Sequence, residues 1–500
     1  MFKKNTKGIG PVVVILILTV IVIALSSVCS ILEFQGEKTE IINGTLTTSL
    51  VSVQNIFTPS GFKYILTSVV TNFKLFNPLF LLIISLIGIG IGERSGLFKA
   101  LFTPLKKLKS PVITFIVFFL GVISSVIGEY SFVILIPLAG ILYKYTNRNS
   151  MVGVITAFLG ICIGYGTGIL VNANDYDLSV LTLDAVKASF KLSNKYNMWS
   201  NLYIMLFSTL LISLVGTVVI EKYVAVNFKR TFYDDDELIV DRRANTITLI
   251  TFLVLLLVVI LGIIPIKPLG FLLDNSGVNY VSKLFSSSSP FYAGFLYIFI
   301  LIMLICGYVY GDISKNVKNT TEYSVGISSS FENLGYVFIL MFFTSQLIGI
   351  LEWTNLDVVI ATNLSNLLDL IEFSGVPLIV TFFLIIVIMT FVMPSAISKW
   401  SICAPTIVPL FMKSNIVPSF TQFIFTAADG VGKAITPIFG YFIVFLGYLE
   451  KYNENKKITI FGTIKSIIVP ILLLVVTWIL ILVGWYVIGL PLGIGTSLTL

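Results

Sequence analysis

Gly164-Tyr-Gly-Thr-Gly168 and Gly430-Val-Gly-Lys-Ala434 interrupt two otherwise apolar segments at matching places in the chain. Each follows a second matched stretch, Phe132-Val-Ile-Leu-Ile-Pro-Leu138 and Ala404-Pro-Thr-Ile-Val-Pro-Leu410. Backbone that leaves the helix at membrane depth frees amide and carbonyl groups, and it is tolerated there only where protein or a water-filled cavity surrounds it. A pair of interrupted apolar segments in corresponding positions of two halves points to a solute site between those halves. The pattern predicts a transporter built from duplicated, broken helices.

Composition places the chain in a bilayer. Of 500 residues, 56% are hydrophobic and 11% charged, against about 25% charged in a typical soluble domain. Lys3, Lys4 and Lys7 precede an uncharged run over 8–32, longer than a signal-peptide core and long enough to span about 30 Å, so a retained first helix is expected. The net charge of +7 is dispersed in short clusters between apolar runs, where it sets membrane orientation rather than marking a nucleic-acid partner. Cys29, Cys162, Cys306 and Cys403 show no metal-ligand spacing and read as free thiols, and no cofactor is expected. With no histidine in the chain, a proton relay would need carboxylates, lysine, tyrosine or water.

Runs long enough to cross fall at 9–31, 75–92, 151–172, 200–221, 246–265, 291–311, 325–350, 420–447 and 466–489. These make nine crossings in an all-α, polytopic fold. Two further regions, 111–147 and 376–412, are too long for one helix and carry polar or small residues near their middles, Ser124, Ser125, Gly128 and Glu129 in one and Pro394, Ser395, Ser398 and Lys399 in the other. Both read as re-entrant hairpins. With the N-terminus cytoplasmic and neither hairpin crossing, three basic regions fall inside: Arg94 with Lys99, Lys106, Lys107 and Lys109; Lys222 with Lys229, Arg230, Arg242 and Arg243; and Lys451 with Lys456, Lys457 and Lys465. The stretch 182–195 remains outside, tempered by Asp175, Asp177 and Asp184.

The expected organisation is a first helix (1–32), an extracytoplasmic loop (33–73), a first repeat (74–224), a cytoplasmic linker (225–245), two scaffold helices (246–312) and a second repeat (325–489), inverted relative to the first. The acidic run Tyr233-Asp-Asp-Asp-Glu237 reads as a solvated turn, and Asn43-Gly-Thr45 is a weak glycosylation pattern.

A charge at bilayer depth costs about 2.5–3.5 kcal/mol even on insertion scales, so each needs a partner, water or a role. Five stand out: Glu129, Asp175, Lys399, Asp429 and Lys433. Asp429 and Lys433 share a face if the helix persists, either as part of a solute site or as an internal salt bridge that keeps the segment in register. Glu129 is either a partly buried proton carrier or an acid exposed in a vestibule. Asp175 is either a site acid or solvated at a helix end. Lys399 either binds solute or snorkels, and Trp400 is either an interface anchor or a stacking surface for an aromatic solute. Pro137, Pro405, Pro409 and Pro437 shape the broken segments. Freed backbone around Gly164, Gly166, Gly168, Gly430 and Gly432 would supply further solute contacts.

The chain resembles the p-aminobenzoyl-glutamate transporter (AbgT) family of bacterial secondary transporters over nearly its whole length. The resemblance is carried by Phe76-Asn-Pro-Leu79 with Gly92-Glu-Arg-Ser-Gly96, by Ser124-Ser125 with Val133-Ile-Leu-Ile-Pro-Leu138, and by residues 164–175. Ser398-Lys-Trp400, Ala404-Pro405, Val408-Pro-Leu-Phe-Met412, and Asp429 with Ile435-Thr-Pro437 complete it. It implies nine transmembrane helices, two re-entrant hairpins, a homodimer in the bacterial inner membrane, and ion-coupled movement of p-aminobenzoyl-glutamate-like solutes or efflux of sulfonamide-type drugs. It also implies that Asp175, Lys399, Trp400, Asp429 and Pro437 belong to the substrate site. Four departures stand out: Glu129 replaces an Asp, Gly168 an Asn, Thr426 an Arg, and Lys433 an Asn. The amides at both breaks suit a hard cation such as Na⁺. Their loss leads to the expectation that Lys433 supplies positive charge in place of a cation or of the lost Arg, and that coupling uses H⁺ or exchange.

These readings converge on a secondary transporter of a small anionic organic solute of aromatic-amide, amino-acid or peptide-like character. The alternative is a channel or a non-transporting membrane scaffold. An intramembrane enzyme is disfavoured, since the chain offers no histidine, no paired catalytic carboxylates on one helix and no nucleotide-binding motif.

Overall fold

A computed structural model describes residues 9–42, 45–190, 199–229, 238–286, 288–332, 334–370, 373–453 and 458–500. Lys3, Lys4, Lys7, Asn43, Gly44, Lys195, Arg230, the acidic run 233–237, Lys456 and Lys457 lie outside the described residues.

Among the described residues, eight helices are long and apolar enough to cross a membrane: Pro11–Ile31, Asn77–Arg94, Ser110–Ile127, Leu202–Asn227, Arg242–Ile263, Phe295–Ser314, Gly335–Trp353 and Ile460–Ile488. The apolar region 325–350 does not begin as one helix, because Thr320–Ser329 is separated from Gly335–Trp353 by a turn. Seven of the eight match expected crossings, whereas Ser110–Ile127 belongs to the region 111–147 expected as a re-entrant hairpin and is by length and composition able to cross. The remaining expected crossings, 151–172 and 420–447, are both interrupted. The first is Ser150–Ile163 followed by Ala173–Phe190, and the second is Pro418–Lys433 followed by Gly440–Lys451.

The second interruption falls a few residues later than its glycines suggest. Gly430 and Gly432 lie inside the helix Pro418–Lys433, and the non-helical stretch runs over 434–439. Pro437 explains the position. It has no N–H, its ring would collide with the carbonyl four residues back, that of Lys433, and it turns the preceding residue away from helical geometry. The helix accordingly ends at Lys433. The first interruption does begin at its glycine: Gly164 caps Ser150–Ile163. The chain re-enters a helix at Ala173, where Asn172 and Asp175 exchange side chain-to-backbone hydrogen bonds of 2.8 and 3.3 Å in the manner of a capping box.

One order of elements occurs twice: a long helix, a short connector, a helix pair folded on itself, an interrupted helix and another long helix. The first series runs through Asn77–Arg94, Leu97–Phe102, the pair Ser110–Ile123 and Tyr130–Tyr145, the first interrupted helix and Leu202–Val219. The second runs through Gly335–Trp353, Leu356–Leu370, the pair Gly375–Thr390 and Ala396–Lys413, the second interrupted helix and Ile460–Ile488. Each interruption is tied to the tip of the helix pair in its own series. Ser125 Oγ donates to the Thr167 carbonyl at 2.7 Å, and Thr436 Oγ1 donates to the Phe391 carbonyl at 3.4 Å.

Burial follows these roles. Every residue of Ser150–Ile163 is buried, as is nearly all of Pro418–Lys433, whereas Arg242–Ile263 turns Leu249, Ile250, Leu253, Val254 and Leu257 outward. Such an apolar exterior is what a helix facing hydrocarbon presents.

The expectation of an all-α chain needs one correction. Within 33–73, β1 (Gln35–Ile42) and β2 (Thr45–Ser52) pair antiparallel, with Gln35 opposite Ser52. The pair lies against Leu356–Leu370, where the Glu37 N–H donates to Thr362 Oγ1 at 3.1 Å and Asn363 Nδ2 to the Gln35 carbonyl at 3.3 Å. Two strand-compatible runs separated by Asn-Gly are a hairpin signal that polarity alone conceals.

Candidate functional site

Three buried charges meet where the second interrupted helix passes the second helix pair. Asp429 and Lys433 sit one turn apart on Pro418–Lys433, and Lys399 comes from the first turn of Ala396–Lys413. Lys399 Nζ lies 2.6 Å from Asp429 Oδ1, and Lys433 Nζ lies 2.8 Å from Oδ2. The Lys399 and Asp429 side chains have no exposed surface and that of Lys433 is 3% exposed, so bulk water screens none of them. Thr390 Oγ1 accepts from Lys399 and lies 3.4 Å from Asp429 Oδ1. Two ammonium groups therefore share one carboxylate, leaving one positive charge uncompensated within the cluster.

Aromatic faces meet part of that need. Lys433 Nζ stands 3.6 Å from the centroid of the Tyr165 ring and 5.6 Å from that of Phe439, and Lys399 Nζ is 6.0 Å from that of Phe425. A desolvated ammonium over a ring gains about 2 kcal/mol. Lys399 thus does not snorkel.

Lys433 also borders a cavity of about 300 Å³. Its walls come from both folded helix pairs and both interruptions: Glu129 from the first tip, residues 394–397 from the second, Tyr165 from the first interruption, Phe439 from the second, and Tyr441 just beyond it. Glu352 closes a further side from the end of Gly335–Trp353. The Tyr441 hydroxyl donates to Glu129 Oε2 at 2.8 Å. Glu129 is otherwise exposed rather than partly buried, so of its two readings the geometry favours the vestibule.

The glycines hold the two interrupted helices together. A methyl group at Gly430 would lie 2.3 Å from the Cys162 carbonyl oxygen, and one at Gly166 would lie 2.5 Å from the Ala427 amide nitrogen. Either would push apart the backbones that bring Tyr165 onto Lys433. Gly164 is pressed on Val122, Gly168 on Ser125 and Gly432 on Thr390. Gly430 lies within the helix and the Gly432 carbonyl accepts from the Ile435 and Thr436 amides of the interruption, contrary to the expectation that these groups are freed for solute.

Of the sequence candidates only Glu129 and Lys433 line the cavity; Lys399, Asp429 and the five glycines do not border it, and three more belong to neither the charge cluster nor the glycine contacts. Trp400 is fully buried, donates from Nε1 to Thr182 Oγ1 at 2.9 Å and packs on Phe425 at 4.5 Å. The indole thus fastens Ala396–Lys413 to Ala173–Phe190 and faces neither lipid nor the cavity, while Thr182 donates to Gln422 Oε1 at 2.6 Å and ties Ala173–Phe190 to the second interrupted helix. Asp175 serves the capping box and borders a separate void of about 10 Å³ together with Gln422 and Thr426. Pro437 ends a helix without lining the cavity. Conversely, Thr390, Tyr165, Asn174, Glu352 and Tyr441 were not singled out from sequence. A lone Thr or Tyr in an apolar run carries no local sign of what it will face, although Glu352 at the end of such a run carries the same intramembrane-charge signal as Glu129.

Residues 7–500 match the AbgT putative transporter family. The chain is 25% identical over 450 residues to the p-aminobenzoyl-glutamate transport protein of Escherichia coli strain K12, covering 89% of this chain and 87% of that protein. Among solved structures, the Alcanivorax borkumensis YdaH transporter superposes with a TM-score of 0.50 at 25% identity, covering 97% of this chain and all of that one. Neisseria gonorrhoeae MtrF, described with a class of antimetabolite efflux pumps, superposes with a TM-score of 0.51 at 24% identity over 98% of each chain.

Proposed function

This chain belongs to the AbgT family of transporters, and on that premise we propose that it is a secondary transporter of a small anionic organic solute, of aromatic-amide, amino-acid or peptide-like character. The observation that carries the reading is the excess positive charge of the Lys399–Asp429–Lys433 cluster, with Lys433 bordering a cavity between the two helix-pair tips. A cavity of this size lies at the small end of ligand pockets, and fixed charge in a site of low dielectric attracts the opposite charge strongly. The 25% identical p-aminobenzoyl-glutamate transport protein supports a carboxylate-bearing solute. Phe76, Tyr165 and Phe439 on the walls suit an aromatic or apolar portion.

In this reading the chain is a multi-pass protein of the bacterial inner membrane with its N-terminus in the cytoplasm. It has nine crossings and two re-entrant hairpins, Ser110–Ile123 with Tyr130–Tyr145 and Gly375–Thr390 with Ala396–Lys413, in halves of opposite orientation. The repeated order of elements and the hydrogen bond from each tip to its own interruption support that topology. The apolar outer faces of Arg242–Ile263 and Phe295–Ser314 supply a homodimer contact. Alternating access moves the tips relative to Asn77–Arg94 and Gly335–Trp353, whose ends border the cavity.

Coupling is to H⁺ or to exchange rather than to Na⁺, because an ammonium occupies the position beside Asp429 that a metal cation would need. Glu129 is an exposed carboxylate on the cavity wall, so a proton route through it would run by way of the vestibule and not, as expected from sequence, through a partly buried group. No catalytic role is assigned to any residue. The test is counterflow into proteoliposomes with a panel of dicarboxylates, amino acids, short peptides and p-aminobenzoyl-glutamate, with and without Na⁺. Saturable exchange of a carboxylate-bearing solute without Na⁺ is expected. Unsaturable flux would favour a channel, and Na⁺-dependent uptake unchanged in Lys433→Asn would overturn the role of the lysine.

A further inference from the structure

The cavity that Lys433 borders is not uniformly positive. Glu129 and Glu352 stand on its other walls, and among the described residues neither makes an ion pair. The Lys399–Asp429–Lys433 cluster brings one net positive charge to one side, while the two glutamates bring two negative charges to the rest. Asn174 adds a neutral donor, since its buried Nδ2 has no hydrogen-bond partner among the described residues. A solute bearing only carboxylates would gain at Lys433 and lose against both glutamates. A solute with a carboxylate at one end and an ammonium at the other gains at each.

We propose that the transported solute is a zwitterion: an α-amino carboxylate, as a free amino acid or short peptide, with an apolar or aromatic side chain. Its carboxylate meets Lys433 and the Asn174 amide, its ammonium meets Glu129 and Glu352, and its side chain lies against Phe76 and Phe439. This rests on the transport reading above and narrows its amino-acid or peptide-like class, with the solute's carboxylate balanced by an ammonium in place of a net negative charge. It also separates this chain's preference from that of a dicarboxylate such as p-aminobenzoyl-glutamate, whose aromatic amine is uncharged at neutral pH. Glu352 belongs to a helix outside the moving tips whereas Lys433 belongs to the interrupted helix, so a zwitterion is gripped across the surfaces that must part during transport.

The test is competition in proteoliposome counterflow at pH 7, using L-phenylalanine and glycyl-L-phenylalanine as zwitterions, N-acetyl-L-phenylalanine as the matched anion, L-phenylalaninamide as the matched cation, and p-aminobenzoyl-glutamate. A zwitterion should compete at least tenfold more strongly than either single-charge analogue. In Glu352→Gln that preference over N-acetyl-L-phenylalanine should fall towards unity, and Glu352→Asp should restore part of it. Equal or stronger competition by N-acetyl-L-phenylalanine or p-aminobenzoyl-glutamate in the wild type overturns the zwitterion while leaving anion transport standing. Absence of saturable counterflow with every compound removes the transport reading itself. A variant that elutes as a monodisperse species yet keeps the wild-type preference excludes Glu352 from the ammonium site.

Discussion

Replacing Lys433 with Gln separates a binding charge from a structural one. In the wild type, Asp429 is shared by two ammonium groups at 2.6 and 2.8 Å. Without Lys433, the Lys399–Asp429 pair remains at one-to-one charge and keeps its hydrogen bonds to Thr390. The usual loss of about 3–5 kcal/mol for stranding a buried charge does not apply, because no charge is stranded. What is lost is the contact with Tyr165, about 1–2 kcal/mol, and the 2.8 Å partner of Asp429 Oδ2, which the Gln amide can replace in part as a neutral donor. The Lys399–Asp429–Lys433 cluster loses its net positive charge, which at roughly 5 Å and an effective dielectric of about 20 attracts a carboxylate by about 3 kcal/mol. With water in an open cavity reducing that to about 2–2.7 kcal/mol, affinity for a carboxylate solute should fall about 30- to 100-fold. Asp429→Asn is the contrasting variant. It leaves two ammonium groups facing each other without an anion and should cost at least the full 3–5 kcal/mol in stability. The assay pairs half-saturation in counterflow with thermal melting of the purified protein. If Lys433→Gln melts as low as Asp429→Asn while its half-saturation stays at the wild-type value, the lysine only holds the helix in register and the binding argument fails.

Other residues carry equally specific expectations. Gly430→Ala places a methyl group 2.3 Å from the Cys162 carbonyl oxygen and should cost about 1–3 kcal/mol with loss of transport, read by melting and counterflow. Glu129→Gln should abolish uptake driven by a proton gradient and keep saturable counterflow, with competition by zwitterions weakened relative to N-acetyl-L-phenylalanine. Loss of saturable counterflow with every solute would reassign it to structure. Trp400→Phe removes the indole bond to Thr182 and should lower stability by about 1 kcal/mol, more if Thr182 is left without compensation, with half-saturation for solute unchanged. A several-fold change in half-saturation would return Trp400 to the solute site.

The chain shows its broken helices plainly in sequence, because glycine and proline act through local backbone rules. The first interruption begins at Gly164, and the second is set by Pro437 rather than by Gly430 and Gly432. What those two glycines do depends on a partner, the Cys162 carbonyl and Thr390, that local sequence does not name. Charges were legible for the same reason that they are costly: Asp429, Lys399 and Lys433 each stand alone in apolar sequence, and all three converge. Their neighbours were less so. Thr390 resembles any threonine bonded back to its own helix, as it also is to Ile386, until Lys399 is brought across to it. Trp400 and Asp175 carried local signals that tertiary structure put to other uses, fastening one helix and capping another. The β1–β2 pair was overlooked because a polar segment outside the apolar runs drew no attention to its alternation.

If the transport reading holds, solute occupies the cavity between the helix-pair tips and is held there by Lys433. Ile397 borders that cavity and is 44% exposed, while Cys162, Cys306 and Cys403 are buried. With Cys29 replaced by Ala and Ile397 by Cys, the rate of thiol labelling by a membrane-impermeant reagent reports occupancy directly. Solutes active in counterflow should slow labelling in a saturable manner, at the same half-saturation as transport, and the protection should weaken about 30- to 100-fold when Lys433 is also replaced by Gln. Labelling that proceeds at one rate with and without an actively exchanging solute would contradict the placement of the site.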